Sequence, residues 1–486
     1  MVARKSLQRV LGLVFLAAGC LAPIQSVADA TITVDWGQVK RKVDPLSFGI
    51  NLSRGHLPNT TGNPGYVKGI SYAVKKGDGS SSLVRLHSNG LARSWSSNGS
   101  WNAEQIKQAL TPLVKAGLVL QICIDAGLNS QSTIVTPSAA ADLVRIINIE
   151  SKLDVKYWEV PNEKREITAA AYRDIARAMK AVDPTIQVGG PGWFWMDLPF
   201  LTSFARDAQA DLDFISFHNY AVGGERDKPD QDVYDSIQKL GDRVRELRSK
   251  IDQVSPDRRI PIQWNEYNIT WFWESPTSRD PRVRTNKGAV VDALFMVAAV
   301  DNGADISNVW NECEDTFGFM TCNGDLYLPA HVFHLFNQYM HGSQVEALSS
   351  NPGNVVVMAV KSDAGYSAVL INRSPSNHKA SFKNSGGILP ETWLRHQIWE
   401  DGYTQPGPPR IQDLEAGIVL PAHSVTVLTT VPVIASLPFI QAGQRERIDP
   451  PINLLMGGGF YYGSDRAWRN LNWIIDLQGR KIVPTK

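Results

Sequence analysis

The chain has almost no excess of charge of either sign: 49 lysines and arginines against 48 aspartates and glutamates leave a formal net charge of +1. This balance excludes the broad one-signed field with which proteins hold nucleic acid or an anionic membrane surface, so a neutral partner is expected. Cysteine is scarce, 4 in 486 residues with no CxxC pair, which removes zinc ribbons and thioredoxin-type redox pairs. His331 and His334, on a predicted helix, read as helix packing, and no metal or other cofactor is expected. The first strand-like run is not followed by GxGxxG, which argues against a dinucleotide-binding open sheet. Internal repeats and long low-complexity blocks are missing. Past the first thirty or so residues no apolar run is long enough to span a bilayer, so no transmembrane helix is expected.

What is present begins with an export signal. Arg4, Lys5 and Arg9 precede the apolar run from Val10, and small residues at Ala28 and Ala30 suit cleavage, so residues 1–30 read as a signal peptide of a secreted or periplasmic protein. AAGC ending at Cys20 offers the alternative of a lipid anchor through Cys20. Cys123, Cys313 and Cys322 remain after export. In an oxidising compartment a Cys313 to Cys322 disulfide is expected, with Cys123 a buried thiol on an apolar strand.

From Phe48 to about Met340, eight short apolar or β-branched runs begin at Phe48, Leu83, Leu118, Val155, Ile186, Asp213, Pro261 and Ile306. Amphipathic stretches from Ala103, Ala170 and Val233 lie between them, which is the pattern of repeated βα units. The fold class expected is α/β, a (β/α)8 TIM barrel over 31–343, with 31–45 able to pair with a later β-domain. Alternating strand runs from Val355, Ser367 and Val425 predict an appended C-terminal β-sandwich over 344–435. The tail 436–486 has no assignable role, although FYYGSDRAW from Phe460 is aromatic enough to suggest docking.

In such a barrel the residues that close each strand point into one shared cleft. VPNE puts Glu163 after the fourth strand and QWNE puts Glu266 at the end of the seventh. Glycoside hydrolysis requires a carboxyl pair of this kind, one to protonate the leaving oxygen and one to meet the oxocarbenium-like centre. Two surface glutamates would be the unremarkable alternative, but each follows an Asn, closes an apolar strand and has aromatic neighbours. Glu159, inside the fourth strand, is expected to face the barrel interior in a structural network. Fourteen tryptophans are compatible with platforms for sugar faces, though most Trp residues are core.

These motifs resemble clan A glycoside hydrolases, and most of all glycoside hydrolase family 39, the β-xylosidase and α-L-iduronidase family. YWEVPNE is similar to the clan's acid/base strand, NEYNITW to the family's nucleophile strand and VRLHSNG to its second strand; GGP at Gly189 and DFISFHNY match in order. The resemblance implies Glu163 as general acid/base, Glu266 as nucleophile and Asn162 as partner of the sugar 2-hydroxyl. It implies Arg85, His218 and Tyr220 as the set holding the nucleophile ionised, and His87 and Trp310 as sugar-binding wall. Arg85 near Glu266 would lower that carboxyl's pKa, and the proximity of the two carboxyls would raise that of Glu163. The family's usual Trp-Asn-Glu-Pro is replaced here by Pro161, Asn162, Glu163 and Lys164, which alters the wall beside the leaving group. The loop after strand eight, with Glu312, Glu314 and Asp315, is expected to shape the cleft's far end.

A retaining glycoside hydrolase acting on a carbohydrate substrate is the reading that follows. An endo-acting hydrolase of an exopolysaccharide and a noncatalytic carbohydrate-binding descendant of a hydrolase stay open beside it, as do the sugar and the oligomeric state. A nucleotide-sugar transferase using DLD at Asp211 for a metal is weaker, since that stretch is more simply a strand start.

Overall fold

The computed structural model describes residues 30–86, 95–97, 100–124, 134–225, 227–272, 279–314, 316–432 and two short strands, Ile474–Ile475 and Lys481–Ile482. Residues 1–29 of the expected signal peptide, Cys20 among them, His87, Asp315 and all of the 436–486 tail but those two strands lie outside the described residues, whereas Ala30 already begins a strand.

All eight expected runs form strands: Gly49–Leu52, Leu83–Leu86, Val119–Cys123, Tyr157–Glu159, Gln187–Trp193, Ile215–His218, Ile262–Tyr267 and Ile306–Val309. They close into one barrel, each strand parallel to its neighbours. The strands are buried on both faces, by the barrel interior and by the helical ring, so their sequences are apolar runs rather than alternations. Helices restart the chain with side-chain caps: Asn102 accepts from the Gln105 amide, Thr168 from Ala171, Asp197 from Phe200 and Thr285 from Lys287. The three amphipathic stretches become helices Ala103–Lys115, Ala169–Val182 and Asp230–Val254.

The register puts polar residues level with one another at the barrel's C-terminal end. Arg85 lies between Asn51 and Gln121, Glu159 between Cys123 and Gly189, and Glu266 beside His218.

After the barrel the chain builds a nine-stranded sheet in the order Gly402–Thr404, Leu394–Trp399, Ser424–Thr429, Gly365–Asn372, Val355–Ser362, Ser343–Ser349, Ala30–Lys42, His378–Ser385 and Ile418–Leu420. The N-terminal strand Ala30–Lys42 therefore belongs to this sheet, antiparallel to Ser343–Ser349 and parallel to His378–Ser385. One sheet face covers a second core with Ile32, Val34, Trp36, Val355, Val357, Leu370 and Leu428. The alternate residues Met358, Val360, Val369, Ile371, Val425 and Val427 join the barrel's core instead. With both faces covered, Val355–Ser362 and its neighbours carry apolar residues at almost every position.

Candidate active site

At the C-terminal mouth of the barrel, Arg85 is completely buried and spends its guanidinium on five partners. Nε donates to Glu159 at 2.5 Å, Nη1 to Asn51 at 2.8 Å and to Glu266 at 3.1 Å, and Nη2 to Asn162 at 2.7 Å and the Cys123 sulfur at 3.4 Å. A planar fork of donors is what lets one cation hold two carboxylates and two amides at once. Burial alone would lower its pKa, but Glu159, Cys123 and Glu266 outweigh burial and raise it, so Arg85 is a permanent cation.

Glu159 has no solvent exposure. It accepts from Arg85, from Ser216 Oγ at 2.5 Å, from Asn265 Nδ2 and from Gln121 at 3.5 Å. Burial pushes its carboxyl up, and the Arg85 charge with the Ser216 bond more than offsets that, so its pKa is lowered and it stays ionised inside the barrel.

Glu163 and Glu266 face one another around His218. His218 Nδ1 is 2.7 Å from Glu163 Oε1 and 3.3 Å from Glu266 Oε2, and the Tyr220 hydroxyl donates to Glu266 Oε2 at 2.9 Å. Nitrogen and carboxylate oxygens of the three residues lie within 4.8 Å of one another. Glu163 has a left-handed φ of +52°, a conformation costing a non-glycine residue about 1 kcal/mol or more, and its amide donates to Gly192 O at 3.0 Å. The next strand can come this close because Gly190 has no Cβ: one there would lie 2.1 Å from Val160 O.

The order of the two carboxyl pKa values differs from the one expected from sequence. Burial raises Glu163, but the His218 hydrogen bond and charge, followed by Arg85 and Lys164, bring it below its ordinary value. For Glu266 burial is the largest influence, and His218, Arg85 and Tyr220 offset it incompletely, with Glu163 adding to the rise. The reason is the position of His218, which the motif placed in the nucleophile's set and the fold seats closer to Glu163. Burial pulls the His218 pKa down, but Glu266 and Glu163 together raise it. The three groups lie close enough for the titration of each to depend on the others.

Asn162 accepts from Arg85 through Oδ1, which leaves its amide group set to donate. Trp310 stands half-buried at the end of the eighth strand, its amide donating to Tyr267 O at 2.8 Å. The aromatics that flank the glutamates in sequence are not cleft walls: Trp158, Trp264 and Tyr267 are buried, and Trp264 and Tyr267 pack on Phe295 of the outer helix Asn286–Asn302. Glu312 is likewise not a cleft residue. It is wholly buried, accepting from the Ser53 and Arg54 amides at 2.8 Å each, from Ser53 Oγ at 3.1 Å and from Tyr66 at 2.8 Å. Cys313 and Cys322 are joined, with Cα atoms 5.0 Å apart, and Cys123 is buried under Arg85. His331 meets the Tyr72 hydroxyl at 2.8 Å and His334 stacks on the Tyr72 ring, so both are helix packing.

By spacing, Glu163, His218 and Glu266 could ligate a divalent ion. Both Glu266 oxygens are already engaged, Oε1 by the Arg85 cation and Oε2 by Tyr220 and His218. Asn51, Ser216 and Asn265 are network members that sequence reasoning passed over; their signal is a small polar residue inside an otherwise apolar strand run. Trp195 and Trp271, in the loops after the fifth and seventh strands, are each 52% exposed.

The sequence model of Glycosyl hydrolases family 39 matches residues 154–369. A β-xylosidase of Geobacillus stearothermophilus is 23% identical over 310 residues, covering 57% of this chain and 58% of that protein, so the match spans less than two thirds of the relative. A family 51 α-L-arabinofuranosidase from Bifidobacterium longum superposes with a TM-score of 0.63 at 15% identity, covering 82% of this chain and 99% of that one. A monomeric β-xylosidase from Caulobacter crescentus gives 0.60 at 15% identity, covering 83% and 99%.

Proposed function

We propose, from its likeness to Glycosyl hydrolases family 39 and to a β-xylosidase, that the protein is a retaining glycosidase that cleaves O-glycosidic bonds of a poly- or oligosaccharide by double displacement. The observation that carries the reading is the meeting of Glu163 and Glu266 across one cleft, with carboxylate oxygens within 4.8 Å, a spacing on the side of the roughly 5 to 5.5 Å of retaining pairs and well short of the roughly 6.5 to 9.5 Å of inverting ones.

In this mechanism Glu266, oriented by Arg85 and Tyr220, attacks the anomeric carbon while Glu163 gives a proton to the leaving oxygen. The proton on the His218–Glu163 axis is the one delivered; with it on the carboxyl, Glu163 is the acid, and once it is spent Glu163 is the base for the incoming water. Water then displaces Glu266 from the same face, restoring both carboxyls and retaining configuration. The Asn162 amide, with Oδ1 tied to Arg85, is placed to hold the sugar 2-hydroxyl. We place the protein outside the cytoplasm, on the basic and apolar N-terminal sequence together with the Cys313–Cys322 disulfide.

The test is product release from aryl glycosides and polysaccharides, with the product anomer followed by NMR. Glu266→Ala is expected to abolish turnover with the fold intact. Glu163→Ala is expected to lose general acid/base catalysis, about 10²-fold or more, with azide restoring turnover of substrates that have good leaving groups. Dialysis against a chelator is expected to change nothing. Inversion of the anomer, or full activity in both variants, would overturn the assignment.

A further inference from the structure

The loops after the sixth and seventh strands do not separate when they leave the barrel. Asn219 N donates to Glu266 O at 3.0 Å, Ala221 N to Asn268 O at 3.0 Å, Val222 N to Ile269 O at 2.9 Å and Trp271 N to Gly223 O at 3.0 Å. The Thr270 hydroxyl adds a bond to Gly223 O at 2.6 Å. This two-stranded extension of the barrel wall starts at the nucleophile and ends at Trp271, at most roughly 17 Å further along at about 3.3 Å per residue.

The Trp271 ring lies on a surface made for it. A Cβ on Gly224 would be 2.6, 3.0 and 3.1 Å from three atoms of the indole, so the six-membered ring is pressed against bare backbone and any side chain there would lift it. Gly223 has φ +59°, which puts the step in the left-handed region that favours glycine. The glycine step backs the indole on one side, and Trp271 is still 52% exposed. A half-exposed indole backed by glycine offers a flat apolar surface that suits the C–H face of a sugar ring.

Trp195, the second half-exposed tryptophan, is on the same side of the mouth. Its neighbour Met196 is hooked to Asn219 Oδ1 by a 3.1 Å amide bond, and the strand-five loop is tied to the acid/base residue by Glu163 N to Gly192 O. Asn51, Arg85, Asn162 and Trp310 come from strands one, two, four and eight, on the other side of the carboxyl pair. The sugar that forms the covalent intermediate belongs with Asn162 and Arg85. What Glu163 protonates and releases lies toward Trp195 and Trp271.

We propose that Trp271 and Trp195 are stacking platforms for sugar residues on the leaving-group side, so that the preferred substrate is a chain continuing past the scissile bond, not a glycoside with a small aglycone. This rests on the glycosidase reading of the same cleft. The test uses the full chain with Glu266→Gln, which is expected to bind without turnover, screened on an array of plant and bacterial oligosaccharides of increasing length. The longest bound fragment is then titrated calorimetrically. Affinity is expected to rise as the fragment lengthens. Trp271→Ala in the same background is expected to weaken the longest fragment about fivefold to tenfold, with Trp271→Phe recovering most of it. Circular dichroism establishes that each variant is folded. Fragments bound with affinity unchanged by both Trp271→Ala and Trp195→Ala would overturn the platforms alone. An array with nothing bound, together with no Glu266-dependent product from the unmodified protein, would overturn the glycosidase reading beneath them.

Discussion

Arg85 holds two carboxylates that, among the described residues, have no other full positive charge within hydrogen-bond range unless His218 is protonated. Replacing it with the apolar Met would leave Glu159 buried as an uncompensated anion, and breaking a buried pair from one side typically costs about 3 to 5 kcal/mol. Arg85→Met is therefore expected to lose stability on that scale in urea unfolding and to lose turnover as well. Arg85→Lys is expected to recover little of either, because an ammonium cannot reproduce the fork that serves Glu159, Asn51, Glu266 and Asn162 together. His218 sets the pH behaviour. Its folded pKa is raised, so its part of the stabilisation is fully present below the unfolded imidazole pKa of about 6.5 and is lost as pH rises through the folded value. The Glu163 pKa is lowered, so its part is present above the usual carboxylate pKa of about 4.3 and is lost as pH falls through the folded value. The pair is thus most stabilising in the window between. The Tm difference between wild type and His218→Gln is expected to be largest at mildly acidic pH and to shrink toward alkaline pH; a difference constant with pH would contradict the ion pair.

At the scale of elements, the start of the loop after strand eight is pinned to the first βα loop by one side chain. Glu312 links the loop after strand eight to the start of the first βα loop, with every bond buried but the half-buried one from Arg54. Glu312→Ala leaves two backbone amides and the Tyr66 hydroxyl without an acceptor. The expected loss is about 2 to 4 kcal/mol by chemical denaturation, with exchange protection falling first at Ser53 and Arg54. The sequence could not show this, because a glutamate after a strand reads the same whether it lines a cleft or pins a loop. The strands were legible for a physical reason: a parallel strand covered on both faces must be apolar throughout, and the polar residue that ends it marks the barrel mouth. Glu163 and Glu266 could be picked out on that basis. Asn51, Ser216 and Asn265 could not, since one small polar residue in an apolar run carries no sign of its distant partner. The seating of His218 against Glu163 depends on the left-handed turn at Glu163, which no propensity of Glu predicts. Trp271 stood in a recognisable motif, but its platform is formed with Gly223 and Gly224 of another loop.

Across the whole molecule, the sheet and the barrel share one apolar interior. Helix Asn286–Asn302 is buried along nearly its whole length, with Phe295 against strand seven and the sheet packing on its other side through residues such as Val425 and Val427. A helix apolar all round has to be covered all round. Polar contacts close the same seam: Arg373 reaches Asp235 at 2.5 Å, Asn286 Nδ2 donates to His423 O at 2.8 Å, and the His423 ring lies 3.3 Å from the Tyr234 hydroxyl. The N-terminal strand Ala30–Lys42 adds a topological link, because it pairs with Ser343–Ser349 and His378–Ser385 before the chain enters the barrel. Neither unit can be removed without exposing the other's core. Calorimetric unfolding is accordingly expected to show a single transition with equal van't Hoff and calorimetric enthalpies. A chain ended before Ser343 is expected to aggregate, since it would expose Asn286–Asn302 and leave Ala30–Lys42 without both partner strands. Two resolved transitions, or a soluble barrel from the shortened chain, would show that the sheet is an accessory and not a wall of the barrel's core.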